Sequence, residues 1–141
     1  MEREFEVQIL TPSQTLFTGQ ATEVVLPAFD GEVGVLAGHA DFIGLLGTGP
    51  LKIVVEGNDF WYLLSSGAYK VDSGKLTILA EIGEKPQKNI DIEQLNAKLK
   101  EIEAQMGDLK SVTPEQYPLL KNEYDQVKAR IDVYRRTELV N

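Results

Sequence analysis

Four side chains that could do acid–base or metal chemistry fall within twelve residues of this sequence: Asp30, Glu32, His39 and Asp41. Carboxylates beside an imidazole can transfer protons or hold a divalent cation. Their spacing matches no established ligand pattern, and a catalytic zinc site usually needs more than one histidine, whereas His39 is the single histidine of the chain. We therefore interpret the cluster as acidic turn residues beside a solvated or interfacial histidine. The sequence predicts neither catalytic residues nor a metal site.

Other patterns that could support nucleotide binding or nucleophilic catalysis are incomplete. The glycine cluster Gly31–Gly34 does not complete a G-x-G-x-x-G or Walker motif, and it leads into a predicted strand rather than a helix. Ser65 and Ser66 lack the flanking pattern of a nucleophile elbow. The aromatic run Phe60–Tyr62 is typical of a strand that packs in a core, with Trp61 on one face and its neighbours on the other.

Composition narrows the class of protein further. The chain has 141 residues, of which 43% are hydrophobic, and this suffices for one domain with or without a small appendage. The absence of cysteine fits a reducing compartment, and the net charge of −8 argues against nucleic-acid binding. No apolar run approaches the roughly 20 residues of a membrane span, and the acidic N-terminus does not resemble a signal peptide. We expect a soluble protein of cytosolic character.

The first part of the chain, residues 1–86, predicts short strands separated by turns. It carries 5 basic and 12 acidic residues and 11 of the 12 glycines. Phe5, Val7 and Ile9 alternate with polar residues, as in a half-buried strand. Turns every 8–12 residues and no helix-length amphipathic run predict an antiparallel β-sandwich or barrel. The other predicted strands are Thr22–Leu26, Val33–Leu36, Leu51–Val55, Phe60–Leu64, Ala68–Val71 and Leu76–Ala80.

The second part, residues 87–141, predicts an antiparallel two-helix hairpin, because its apolar residues recur at spacings of three and four. Asp91 is the predicted N-cap of the first helix, Gly107 its stop, and Thr113 the N-cap of the second. Pro118 predicts a distorted first turn or a later start. Both apolar stripes are narrow, which predicts that the hairpin is the more mobile part. The stripes are Ile92, Leu95, Leu99, Ile102 and Met106, then Tyr117, Leu120, Tyr124, Val127, Ile131 and Tyr134.

The C-terminal end of the second helix is basic in an otherwise acidic protein. Two explanations remain open: cations favoured by the negative end of the helix dipole, or a patch that contacts acidic groups of a partner. The residues concerned are Lys128, Arg130, Arg135 and Arg136.

Several motifs of residues 1–86 occur in a recognisable order. A strand and turn precede the step Phe17-Thr18-Gly19, and Gly31–Ala40 reads Gly-x-x-Gly-Val-Leu-x-Gly-His-Ala. A Gly-x-Leu-x-Ile strand follows at Gly49–Ile53, and Ser65–Val71 matches imperfectly a Ser-Gly-Gly-Phe-x-x-Val pattern. Together with the sandwich-then-hairpin order, this resembles the epsilon subunit of F-type ATP synthases of the bacterial type. The resemblance covers nearly the whole chain.

The resemblance implies a non-catalytic rotor subunit. In that family the sandwich contacts the gamma subunit on one side and the c-ring on the other. The hairpin either folds on the sandwich or extends toward the alpha and beta subunits and restrains ATP hydrolysis. The implied location is peripheral, at the cytoplasmic face of the bacterial plasma (inner) membrane. Four residues match the family's c-ring and gamma contact, and the basic end would belong to the regulatory hairpin. The contact residues are Gly31, Glu32, Gly38 and His39.

Some members of the family bind ATP at the hairpin through Ile-Asp-x-x-Arg-Ala. Only Ile90 and Asp91 match that motif here, and the arginine positions of the second helix fall on Ala129 and Val133. Without guanidinium donors for the phosphates, we expect weak or no ATP binding and no other cofactor. A non-catalytic adaptor or chaperone-like module is the alternative function. A hydrolase or metal enzyme centred on His39 is a third hypothesis.

Overall fold

The computed structural model describes residues 3–85, 91–108 and 110–140, in which eight strands are followed by two helices. The predicted sandwich-then-hairpin fold is confirmed. The domain boundary predicted between residues 86 and 87 lies outside the described residues. The elements are β1 Phe5–Leu10, β2 Thr15–Ala21, β3 Glu23–Ala28, β4 Gly31–Leu36, β5 Phe42–Leu45, β6 Thr48–Val55, β7 Asn58–Asp72, β8 Lys75–Glu84, α1 Ile92–Gly107 and α2 Tyr117–Val140.

The strands form one curved sheet in the order β2-β1-β8-β7-β6-β3-β4, and β5 pairs separately with β7. Among the pairs that these strands form, β1 and β8 run parallel and the others antiparallel. The parallel pair was not predicted. It arises because the first and last strands of the sandwich lie side by side, far apart in sequence, so that no turn links them.

Strand β7 is one bent strand where the sequence predicted two. Its first half pairs with β6 and its second half with β5, so the strand spans both faces of the sandwich. The bend falls at Ser66 and Gly67, whose φ angles are 61° and 122°. A Cβ atom at Gly67 would overlap the carbonyl oxygen of Leu79 on β8, so glycine is required for this close approach.

A single hydrophobic core fills the sandwich. The alternation predicted for β1 is confirmed, because Phe5, Val7 and Ile9 are all buried in it. Tyr62 is buried in the same core, whereas Trp61 faces the other side of β7, as predicted. The core residues with no measurable exposure are Val7, Ile9, Val24, Leu26, Leu51, Ile53, Leu64, Leu76 and Ile78.

The predicted N-cap of α1 is confirmed, whereas Thr113 lies four positions before Tyr117, the first residue of α2, and caps the turn that precedes the helix. Asp91 caps α1, and its Oδ1 accepts hydrogen bonds from the backbone N–H groups of Glu93 and Gln94 at 3.0 and 3.2 Å. Thr113 and Gln116 form a reciprocal capping box at 3.2 and 3.1 Å. Gly107 is the last helical residue rather than a residue beyond the helix, and Asp108 is the C-cap.

The second helix begins at Tyr117, after a turn at Pro114–Gln116, so the delay predicted from Pro118 is observed. The two helices pack against each other around Ile102, Val127 and Ile131, as the stripes predicted. Helix α2 lies on β6 and β7. Within the described residues, no helix is both long and apolar enough to cross a membrane.

Candidate interaction surfaces

The acidic cluster around the single histidine is divided by the fold. Asp30 and Glu32 lie at the β3–β4 turn, while His39 and Asp41 follow the other end of β4. The five steps from Gly31 to the end of β4 span roughly 17 Å at the usual rise of a strand. The structure therefore does not bring these groups together, and among the described residues no set of three or more potential ligand side chains can hold a metal ion.

The histidine end of β4 is a tight, exposed turn. Gly38 has a φ of +85°, and the His39 N–H donates to the Leu36 carbonyl at 3.1 Å. The His39 ring Nδ1 lies 2.6 Å from the Ala40 carbonyl oxygen and donates to it, so this nitrogen is occupied by a local bond. The Asp41 carboxylate accepts from the Ser73 N–H at 3.0 Å. These partners fix the shape of a turn.

The glutamate end of β4 is exposed in the same way. Gly31 and Glu32 form the start of the edge strand and are both exposed. Phe29, in the preceding turn, is 78% exposed, and its N–H donates to the Leu45 carbonyl at 2.9 Å. Burial raises the pKa of the nearby Tyr69 hydroxyl, and the negative charge of Asp30 raises it further. An acidic turn with an exposed aromatic ring therefore adjoins β5.

An apolar row crosses the outer face of the sheet, and the sequence reasoning missed it. Leu45, Ala68, Leu79 and Leu10 are directly paired neighbours on β5, β7, β8 and β1, so their side chains share one face. Leu45 is 65% exposed and Leu79 is 54% exposed, and Ile43 extends the row along β5. A sheet face exposed to solvent is normally polar, and a contiguous apolar surface marks an interaction site.

A signal for this surface was present in the sequence. Phe42, Ile43, Leu45 and Leu46 are four apolar residues among five, and an alternating strand cannot bury both of its faces in a single core. In the structure, the Phe42 ring packs against Tyr69 with centroids 5.9 Å apart and planes tilted by 36°, while Ile43 and Leu45 face outward.

The four basic residues near the end of α2 separate into two pairs. Arg130 and Arg136 contact the sandwich: Arg130 makes a two-point ion pair with Glu84, and Arg136 lies over the ring of Trp61. Lys128 and Arg135 line a cleft of about 440 Å³ between the hairpin and β6. The basic end is therefore not one patch. It serves as a joint with the sandwich and as one wall of a cleft.

The cleft contains few of the groups that would hold a nucleotide. Asp125 and Asp132 lie in it with the two cations, so its charged residues balance. Ala129 and Val133, where the family's arginines would fall, are buried against Leu63. Ile90 lies outside the described residues.

These features define a class of protein: a binding subunit made of a sandwich with an apolar outer face and an attached helical hairpin. Residues 4–86 match the family model described as the β-sandwich domain of the ATP synthase delta/epsilon chain. The ATP synthase epsilon chain of Ruminiclostridium cellulolyticum is 30% identical over 132 residues, which cover 94% of this chain and 96% of that one. The epsilon chain of Solibacter usitatus is 37% identical over 99 residues, covering 70% and 73%.

The chain therefore belongs to the ATP synthase delta/epsilon family, as its motifs predicted. As a member of this family it is a chain of the ATP synthase complex and is not itself catalytic.

Solved structures share the fold. A chain in the structure of the OSCP/F1/c-ring of the Euglena gracilis mitochondrial ATP synthase, in rotational state 1, superposes with a TM-score of 0.79 at 19% identity. The match covers 96% of this chain and 81% of that one. A chain from the central stalk/c-ring of the Tetrahymena thermophila mitochondrial ATP synthase gives 0.60 at 15% identity, covering 94% and 98%.

Proposed function

We propose that this chain is the central-stalk rotor subunit of a bacterial F-type ATP synthase, where it joins the gamma subunit to the c-ring and regulates ATP hydrolysis through its hairpin. Family membership supports the rotor role, and the relatives named above include epsilon chains of bacteria. The single observation that carries the assignment of contacts is the apolar row on the outer face of the sandwich.

The apolar row is the proposed binding surface for the gamma subunit. Leu45 and Leu79 expose apolar area to water, which is unfavourable. A partner that covers them removes this area from solvent and gains binding free energy. The row crosses four strands of a rigid sandwich, so a partner can bind it without a change in fold. A rotor subunit needs such a contact, since it must transmit torque without slipping.

The two exposed turns at the ends of β4 are the proposed contacts with the polar loops of the c-ring. Gly31 and Glu32 form one turn region and are both exposed, whereas in the other Gly38 is exposed and His39 is half-buried. Polar contacts at the edge of an interface fix the orientation of the partners more than they add affinity. The apolar row would therefore provide affinity for the gamma subunit, and the turns of β4 would orient the chain on the c-ring.

The hairpin is the proposed regulatory element. The sandwich of residues 1–86 is the proposed separate unit on which it folds. It contacts the alpha and beta subunits when it extends away from the sandwich, and Lys128 and Arg135 are the cations available for acidic groups there. The complex would hold the chain at the cytoplasmic face of the plasma (inner) membrane as a peripheral subunit.

Binding of purified gamma subunit to full-length variants tests the assignment. Leu45→Asp and Leu79→Asp each place a charge in the apolar row, and each should weaken gamma binding about tenfold or more, as for a central interface residue. Leu119→Asp is the matched control, because Leu119 is 71% exposed but lies on the hairpin, away from the row.

Affinity for gamma is measured by biolayer interferometry, and retained folding by circular dichroism. If both variants of the row bind gamma as tightly as Leu119→Asp does, the row is not the gamma contact. If the unaltered chain does not bind gamma at micromolar concentration, the rotor assignment itself is wrong.

A further inference from the structure

Three separate hydrophobic clusters hold the molecule together. One fills the sandwich, one joins α1 to α2, and the third lies between the hairpin and the sheet. The third cluster has only Leu63, Ala129 and Val133 as its buried members among the described residues, with Trp61 packed at its edge. Removing the hairpin from the sheet would leave the other two clusters intact. The apolar joint between the hairpin and the sheet is therefore the smallest of the three clusters.

Charged contacts surround this joint. The Arg130 guanidinium binds the Glu84 carboxylate at two points, with N–O distances of 2.7 and 3.2 Å. The pair joins α2 to the last residue of β8 across 46 positions of sequence. The side chains are 27% and 33% exposed, so solvent reaches the pair but does not fully screen it.

A second contact lies on the next turns of α2. The Arg136 guanidinium lies over the Trp61 ring, 5.0 Å from its centroid, and Asp132 fixes it through a 2.8 Å bond to its Nε. The indole Nε1 of Trp61 is buried and has no acceptor among the described residues. A buried N–H without an acceptor disfavours the docked arrangement of the hairpin. The attraction between the Arg136 guanidinium and the Trp61 ring offsets part of this cost.

We propose that these two arginines form an electrostatic clasp, and that the clasp, added to the burial of the small apolar joint, adjusts how firmly the hairpin is docked on the sandwich. The clasp consists of Arg130 with Glu84 and of Arg136 with Trp61. Docking strength then falls as ionic strength rises, because partly exposed charges are screened. Acidic groups that compete for either arginine release the hairpin. In the ATP synthase complex this would set the threshold for regulation, a consequence that rests on the proposed function, whereas docking itself is a property of the chain alone.

Docking is measured directly on the full chain by spin labelling. The chain has no cysteine, so Asn58→Cys on the sandwich and Gln105→Cys on α1, both exposed, give two unique label positions. Double electron–electron resonance then reports the docked and undocked populations over a series of NaCl concentrations. Glu84→Gln and Arg136→Gln, introduced separately, should each lower the ratio of docked to undocked molecules about two- to fivefold.

The controls separate the clasp from general charge effects. Glu6→Gln removes one carboxylate from a sandwich ion pair with Lys75 that does not involve the hairpin, and should leave the populations unchanged. The charge-swapped variant carrying both Glu84→Arg and Arg130→Glu should restore docking and its dependence on salt. Trp61 is the only tryptophan, so its emission should shift to longer wavelength as the hairpin leaves.

Equal docked populations in the parent, Glu84→Gln and Arg136→Gln at every salt concentration would overturn the proposal. A charge-swapped chain that docks no better than Glu84→Gln would also overturn it. Binding of gamma through the apolar row involves neither arginine, so a failed clasp with normal gamma binding leaves the rotor assignment standing.

Discussion

The sandwich and the hairpin differ in what keeps each of them folded. The sandwich has a continuous core, in which Leu64 and Ile78 are fully buried. Its strands pair across long sequence separations, as β1 does with β8. The hairpin has a narrow seam around Ile102, Val127 and Ile131, and most of its surface is exposed. A thick core makes a permanent body, while a thin seam with a small joint makes an element that can exchange neighbours.

Charge follows the same division. Residues 1–86 carry 12 of the 22 acidic side chains and only 5 of the 14 basic ones, whereas residues 87–141 are close to neutral. Glu84 is one of many carboxylates on the negatively charged sandwich, and two hydrogen bonds from Arg130 tie it to the hairpin. Residues of opposite charge, Arg130 and Glu84, therefore meet between the hairpin and the sandwich. Such a contact suits a hairpin that both docks on the sandwich and leaves it.

The largest test of this difference removes the hairpin altogether. A chain ending after residue 87 should keep the strand signature of the sandwich and still assemble with gamma, because its core contains no hairpin residue. ATP hydrolysis by the assembled complex should rise severalfold, since the restraint is gone. Circular dichroism and steady-state ATPase assays measure the two effects. An unfolded fragment would refute the independence of the two parts, and unchanged hydrolysis would count against inhibition by the hairpin.

Two core substitutions compare the parts directly. Leu64→Ala in the sandwich should cost about 2–5 kcal/mol of unfolding free energy, because it leaves a cavity in a packed core. Ile102→Ala in the hairpin should cost about 2 kcal/mol or less, and only the hairpin should lose protection. Urea unfolding measures the free energy of unfolding, and hydrogen exchange shows whether the sandwich or the hairpin loses protection. If Ile102→Ala destabilised the sandwich as much as Leu64→Ala does, the two parts would form one cooperative unit.

A smaller effect is expected at the start of α2. Thr113→Ala removes the side-chain oxygen that accepts from the Gln116 N–H at 3.2 Å, and should cost about 1 kcal/mol of hairpin stability. Thr113→Ser keeps the hydroxyl and serves as the control. Hydrogen exchange of the first turn measures the loss, which should not reach the strands. Equal losses in both variants would show that the capping bond contributes nothing.

The smallest expected effect is that of ATP. The Asp91 carboxylate is already used by the N-cap of α1, and Ala129 and Val133 face the joint, so few groups remain for phosphates. Isothermal titration calorimetry should show binding no tighter than about 1 mM, equivalent to roughly −4 kcal/mol. Micromolar binding would show that Lys128 and Arg135 in the cleft suffice to replace the missing arginines.

Much of the fold followed from local patterns, and the exceptions have physical causes. Strand β5 was not predicted because it has only four residues and includes Gly44, too short for a clear alternation. Strand β2 was missed because only Leu16 and Ala21 are buried along it. Strand β7 was predicted as two strands, Phe60–Leu64 and Ala68–Val71, because the positive φ angles of Ser66 and Gly67, which bend one continuous strand, cannot be deduced from local alternation.

The candidate sites were harder to predict from the sequence than the strands and helices were. Gly31, Glu32, Gly38 and His39 were found through family motifs, but their separation along β4 emerged only from the strand pairing. Glu84 was not assigned to a strand, because the last predicted strand ended at Ala80, whereas β8 continues to Glu84.

The sequence by itself determined the sandwich-then-hairpin order, the cap at Asp91, the capping box of Thr113 and Gln116, the apolar seams of the hairpin and the family. These depend on neighbours within a few positions, so local spacing encodes them. Only the tertiary structure decided that Leu45 and Leu79 share an exposed row, and that Arg130 meets Glu84 while Lys128 lines a cleft. Such contacts join positions tens of residues apart. Their partners depend on strand register and on how α2 lies on the sheet, which no local pattern specifies.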